Sequence, residues 1–188
     1  MRVTARSARF LPAGLSVILL LSGCAQKRTA GSGAGSVVSV SAVTGVLPRA
    51  QKAANFSWKD ESGATADLDG YRGRVTVVNF WATWCPPCRA ELPALVSLSK
   101  EMAGRGVRFI GVSVDRGANV ASDLREFAGS NGITYPIVIS IPALEEAYGS
   151  IRAIPTTFIL DSTGTVVKTF VGSRTKEVFA EAIESALR

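Results

Sequence analysis

Residues 77–93 read VVNFWATWCPPCRAELP. An apolar, β-branched run that begins at Arg74 (RVTVVNFWAT) meets two cysteines three apart, Cys85 and Cys88. A run of this length without alternation suits a strand at the centre of a sheet covered on both faces. The stretch that follows, PPCRAELPALVSLSKEMAG, reads as a helix. Leu92, Leu95, Val96 and Met102 share one face, and Gly104 ends it. Pro93 is expected to kink that helix, because it lacks a backbone donor and crowds the carbonyl of Arg89. Cys85 thus falls where a buried strand gives way to a helix.

A Cys-x-x-Cys pair serves as a staple, as half a metal site or as a reactive dithiol. Stabilisation by a disulfide grows with the loop it closes, so a bridge between Cys85 and Cys88 restrains almost nothing. A structural zinc site needs four ligands, and the chain has no histidine and three cysteines in all. No metal is therefore expected. Redox chemistry remains. At a helix N-terminus, free N–H groups and the helix dipole stabilise an anion and lower a thiol pKa from about 8.5 into the range ~3.5–7.5. Cys88, one turn further in, is expected to be the more sheltered thiol, as an attacking and a resolving pair requires.

Downstream, GVRFIGVSVD reads as a second buried strand and ANVASDLREFAGSNG as a second helix. YPIVIS is a short strand and PALEEAYGS a short helix. TTFILD and GTVVKTFVG are strands joined by a turn at Ser162–Gly164. The final segment, TKEVFAEAIESAL, is an amphipathic helix with Val178, Phe179, Ala182, Ile183, Ala186 and Leu187 on one side. Upstream, NFSWKDESGATADL reads as two short strands about an Asp60–Gly63 turn, and DLDGYRGR as a loop and short helix. Strands alternating with helices, then a hairpin and a helix, indicate an α/β domain with a mixed sheet.

VVNFWATWCPPCRAELP, with IPTTFILDSTGTVV some seventy residues on, resembles the thioredoxin superfamily, and more narrowly the TlpA/ResA-type membrane-tethered thiol–disulfide oxidoreductases. The resemblance covers residues 55–188. It implies a thioredoxin-like fold: a central mixed β-sheet flanked by helices, with an N-terminal β-hairpin extension and a central inserted βα element. It also implies roles. Cys85 is the nucleophile, and Cys88 resolves the mixed disulfide, leaving a Cys85–Cys88 bridge. Trp84 shields one side of the site, unless it is simply a core aromatic. Pro86 and Pro87 restrict the loop, remove two N–H groups and tune the thiolate. Pro155 is the cis-proline beside Cys85, and the backbone at Ile154 pairs with an extended substrate peptide. Asn79 stands where classical thioredoxins carry a buried aspartate, and it cannot shuttle a proton. Glu91, near one turn after Cys88, lies behind the cysteines in ResA-like members and relays protons there; its plainer use is as a first-turn acid favoured by the helix dipole. No cofactor is implied, since the two thiols carry both electrons.

The chain has 188 residues, 47% hydrophobic and 19% charged, which suits one domain with an extension. Its formal charge is +6, but Arg2, Arg6 and Arg9 lie ahead of any acid. Without them 18 basic residues face 15 acidic ones, a charge of +3. No basic patch interleaved with aromatics appears, so nucleic acid is not an expected partner. The three arginines precede an apolar FLPAGLSVILLL and the tetrapeptide Leu21-Ser22-Gly23-Cys24. That order reads as a secretory signal, and the tetrapeptide resembles the bacterial lipobox, in which the cysteine is lipidated. The expected organisation is a signal at 1–23, a lipidated Cys24 with a flexible tether to residue 54, and a thioredoxin-like domain at 55–188. Thirty residues of coil reach about 30 Å. Within the tether, VVSVSAV has the composition of a strand.

These features lead to an expected membrane-anchored, extracytoplasmic protein disulfide reductase. The family's partners are protein disulfides such as apocytochrome c, a CcdA- or DsbD-type membrane electron donor, and the membrane itself through lipid on Cys24. One rival is a thiol peroxidase of the peroxiredoxin kind, whose usual Pro-x-x-x-Thr-x-x-Cys setting is absent here. Another is a lipoprotein binding module with a vestigial dithiol.

Overall fold

The computed structural model describes residues 35–44, 52–60 and 62–188. Cys24, the leader and part of the tether lie outside them. In chain order the elements are β1 (Val37–Thr44), β2 (Asn55–Lys59), β3 (Thr65–Asp67), a 3-10 turn (Leu68–Tyr71), β4 (Thr76–Trp81), α1 (Pro86–Glu101), β5 (Arg108–Ser113), α2 (Val120–Ser130), β6 (Ile137–Ile139), α3 (Pro142–Ala147), β7 (Thr156–Leu160), β8 (Val166–Val171) and α4 (Lys176–Ala186). The strands form one eight-stranded sheet in the order β3-β2-β1-β6-β5-β4-β7-β8. Strands β1, β6, β5 and β4 run parallel, while β7 returns antiparallel to β4 and β8 to β7. This is a thioredoxin-like α/β fold with a mixed sheet.

Every residue of β4 is buried, as its unbroken apolar run requires. Its side chains alternate between faces. Val77 and Trp81 join Leu95, Phe179 and Ile183 in the core beneath α1 and α4. Val78 and Phe80 join Phe56, Tyr148 and Phe158 on the opposite face. Burying each such side chain fully contributes about 1.5–3 kcal/mol. Asn79 shares its parity with Val77 and Trp81, and therefore faces α1. Hairpin turns on both sides use one device. Asp60 Oδ1 accepts from the N–H groups of Ser62 and Ala64, and Asp161 Oδ1 from those of Thr163 and Thr165.

Helix α1 contains Pro93 and runs on to Glu101. Two expectations change. The segment VVSVSAV is sheet rather than tether: β1 lies between β2 and β6, so the folded part begins by Val37 and not at Asn55. Val178 is an exposed residue of α4, while Phe179 and Ile183 carry its buried stripe. Among the described residues no helix is long and apolar enough to cross a membrane.

Candidate functional site

The end of β4 delivers the chain to Cys85, the N-cap residue of α1. Pro86 and Pro87 occupy the first two helical positions, where a missing N–H is tolerated and a fixed φ favours the helix. Their consequence is electrostatic as well as steric. With those two donors absent, the first free amide of α1 is that of Cys88, and it points at Cys85 Sγ from 3.2 Å. A sulfur at this place sits where a capping oxygen usually does, at the positive end of the helix. The two cysteines are joined as a disulfide, with Cα atoms 5.3 Å apart. The expected difference in shelter is absent from this oxidised state, since Cys85 is 3% and Cys88 2% exposed. What separates them is surroundings: the carbonyl oxygen of Ile154 lies 3.8 Å from Cys85 Sγ.

Ile154 precedes Pro155 through a cis peptide bond. Strand β7 begins only at Thr156, and the Pro155 carbonyl is taken by the N–H of Gly172. The N–H and C=O of Ile154 take no backbone partner among the described residues, which leaves them open for pairing with an extended chain. Trp84 is 65% exposed, so it is no core aromatic but a projecting ring beside the disulfide.

Behind the cysteines lies Glu91, three residues after Cys88 and 2% exposed. On a helix this spacing puts the two side chains on one face, with Cβ atoms about 5–6 Å apart. Its Oε1 accepts from Asn79 Nδ2 at 3.0 Å, and its Oε2 from the Arg174 backbone N–H at 3.2 Å. Asn79 also donates to Thr157 Oγ1 at 2.8 Å, across the β4–β7 pair in which the two residues are directly opposed. Burial pushes the Glu91 carboxyl up to about 7, against the smaller opposing pull of those two hydrogen bonds and the Arg174 charge. The group is thus poised to exchange a proton near neutrality. It also lines a cleft of about 680 Å³ between α1 and residues 173–176.

A second buried carboxylate was not among the expected site residues. Asp115 follows β5, and Trp81 pairs with Ser113, so Thr83 and Asp115 stand two residues beyond one another's pair. Asp115 Oδ1 accepts from Thr83 Oγ1 at 2.6 Å, Oδ2 from Ser113 Oγ at 2.7 Å, and both oxygens share the Thr83 N–H. This clamp fixes the turn from β4 into Trp84 and Cys85. An acid just past the end of a buried strand was the available signal.

The sites expected from sequence therefore converge: Trp84, Cys85, Pro86, Pro87, Cys88, Glu91, Ile154 and Pro155 meet at the carboxyl end of β4. A family model described as redoxin matches residues 48–187. The thiol–disulfide oxidoreductase ResA of Geobacillus thermodenitrificans is 36% identical over 134 residues, covering 71% of this chain and 75% of that protein. A thioredoxin-family thiol:disulfide interchange protein from Chlorobium tepidum is similar in structure, with a TM-score of 0.66 and 34% identity over 76% of this chain and 100% of that one. The exposed lipoprotein thioredoxin Etrx1 of Streptococcus pneumoniae matches with a TM-score of 0.57 at 28% identity, over 70% of this chain and 98% of that one.

Proposed function

The chain belongs to the redoxin family as a ResA-like thiol–disulfide oxidoreductase, and from that premise we propose that it works as a reductase of protein disulfides on the extracytoplasmic side of a membrane, held there by lipid on Cys24. The observation that carries the thiol–disulfide chemistry is the Cys85–Cys88 disulfide at the N-terminus of α1 with Glu91 buried behind it, and the reductive direction is taken from the resemblance to ResA-type proteins.

In the reduced protein the Cys85 thiolate attacks one sulfur of a substrate disulfide. A mixed disulfide forms, and the other substrate sulfur leaves as a thiolate and takes up a proton. Cys88 then gives its proton to the Glu91 carboxylate and attacks Cys85 Sγ. The second substrate thiolate is released, and the protein retains the Cys85–Cys88 bridge. Two electrons have passed to the substrate. The Cys88 N–H stabilises the Cys85 thiolate that makes the first attack. A substrate segment laid along Ile154 would bring its cysteine to the one sulfur beside that carbonyl. Regeneration requires a dithiol donor, for which a CcdA- or DsbD-type membrane protein is the proposed source. Apocytochrome c before haem attachment is the proposed substrate. Tethering supports that choice, because confinement at the membrane raises the effective concentration of both partners. The lipobox-like Leu21–Cys24 and the similarity to a lipoprotein thioredoxin support the anchor.

The decisive measurement is the reduction potential of the Cys85–Cys88 pair, by equilibration in dithiothreitol or glutathione buffers. A reductase is expected near or below ~−270 mV, whereas a value near ~−120 mV would make the protein an oxidant and overturn the direction.

A further inference from the structure

Three segments surround the disulfide: residues 82–90, 149–155 and 172–176. None contains an acid, and together they hold Arg89, Arg152, Arg174 and Lys176. Two of these cations are already occupied. The Arg174 guanidinium folds back onto the carbonyls of Val171, Gly172 and Ser173, and Lys176 pairs with Glu101. Arg89 and Arg152 are exposed, and among the described residues neither guanidinium has a partner.

Both lie close to the reacting sulfur through the backbone. The Arg89 N–H bonds to the Cys85 carbonyl at 3.0 Å, which places Arg89 one helical turn above Cys85 on the same face. Arg152 is two residues from Ile154, whose carbonyl is 3.8 Å from Cys85 Sγ. The chain bends between Arg152 and Pro155, which keeps Arg152 on the segment that borders the sulfur.

We propose that the substrates of this site are polypeptide disulfides with acidic residues close to the attacked cysteine, met by the exposed guanidinium groups of Arg152 and Arg89. The proposal rests on the reductase reading above. Two exposed, unpaired guanidinium groups favour anionic partners, since the nearest carboxylates, Glu91 and Asp115, are buried and already hydrogen-bonded, and that exposure makes the effect one of encounter and orientation rather than of deep binding.

The test uses three model peptides carrying one disulfide each, identical except for Glu, Gln or Lys at the positions flanking the cysteine. Initial rates of reduction by the reduced protein are compared as ratios within each variant, at low salt and at about 0.5 M salt. The acidic peptide is expected to react up to about fivefold faster than the neutral one per arginine engaged, the basic one slower, with the spread collapsing in high salt. Arg152→Glu should invert the order, and Arg89→Gln with Arg152→Gln should level it. Equal rates for all three peptides in the unaltered protein, or an acidic preference that survives in the double variant, would overturn the proposal. Hydroxyethyl disulfide, which is small and uncharged, separates the two readings: if the unaltered protein fails to reduce it, the reductase assignment falls, whereas turnover of it without peptide discrimination condemns only the charge proposal.

Discussion

Two carboxylates are buried on either flank of the cysteine loop, and they are built for different work. Asp115, beyond β5, meets hydrogen-bond donors on both oxygens, and its partners belong to the turn that leads into Cys85. Glu91, on α1, accepts one bond at each oxygen, from the side-chain amide of Asn79 on β4 and from the backbone N–H of Arg174 after β8. Donors concentrated on one turn let Asp115 hold backbone in place. Glu91, with fewer donors in a buried setting, is pushed up to about 7 and can pass its proton on. Burial alone does not assign a function to an acid; its donors do.

The harshest way to break this contrast is Asp115→Ala. It leaves the Thr83 N–H and hydroxyl and the Ser113 hydroxyl without their acceptor, a loss of about 3–5 kcal/mol. Urea unfolding should show it, and Asp115→Asn should recover a large part by keeping one acceptor oxygen. Equal destabilisation by both substitutions would mean that charge rather than hydrogen bonding holds the clamp.

Glu91→Gln sharpens the other side. Below pH 4.5 the carboxyl is protonated whether the chain is folded or not, and the variant should match the parent. Between pH 4.5 and about 7 the unfolded chain releases the proton while the folded chain keeps it, so the stability of the parent falls as pH rises. The fall amounts to about 3 kcal/mol by pH 8, and Glu91→Gln should escape it. Unfolding midpoints across pH 4–8 would diverge if this holds and stay parallel if the carboxyl titrates normally.

The smallest effect concerns Asn79. Its amide favours the charged form of Glu91, so Asn79→Ala should move the Glu91 titration upward from about 7, by under about one pH unit. Carboxyl carbon chemical shifts followed by NMR would register the change, and a downward move would show that Asn79 does not donate to it.

The sequence carried the site further than it carried the sheet. Cys85, Cys88 and Glu91 lie within seven residues, and helical spacing alone brings them together. The strands β4, β5 and β7 were legible because continuous apolar runs between turn residues have few other uses. β1 was harder to place. VVSVSAV is short and sits among small polar residues, and its partner β6 lies almost a hundred residues away, a pairing no local pattern announces. The Thr83–Asp115 clamp escaped for a related reason. It depends on the register of β4 against β5, which fixes which residues face each other past the strand ends. Asn79 could be matched to a family position, but its bond to Glu91 needed the parity of β4 and the rotation of α1 together.

The place of β1 in the sheet also sets an orientation. Val37 pairs with Ile137, Ile137 with Gly111 and Gly111 with Asn79, so the chain enters β1 level with the middle of β4, two residue steps, about 7 Å, before that strand ends. Three strand spacings, about 14 Å, separate β1 from β4 across the sheet. Whatever holds the chain ahead of Val37 would therefore take hold at the side of the domain, abreast of the cysteine loop, as a mooring line holds a boat amidships.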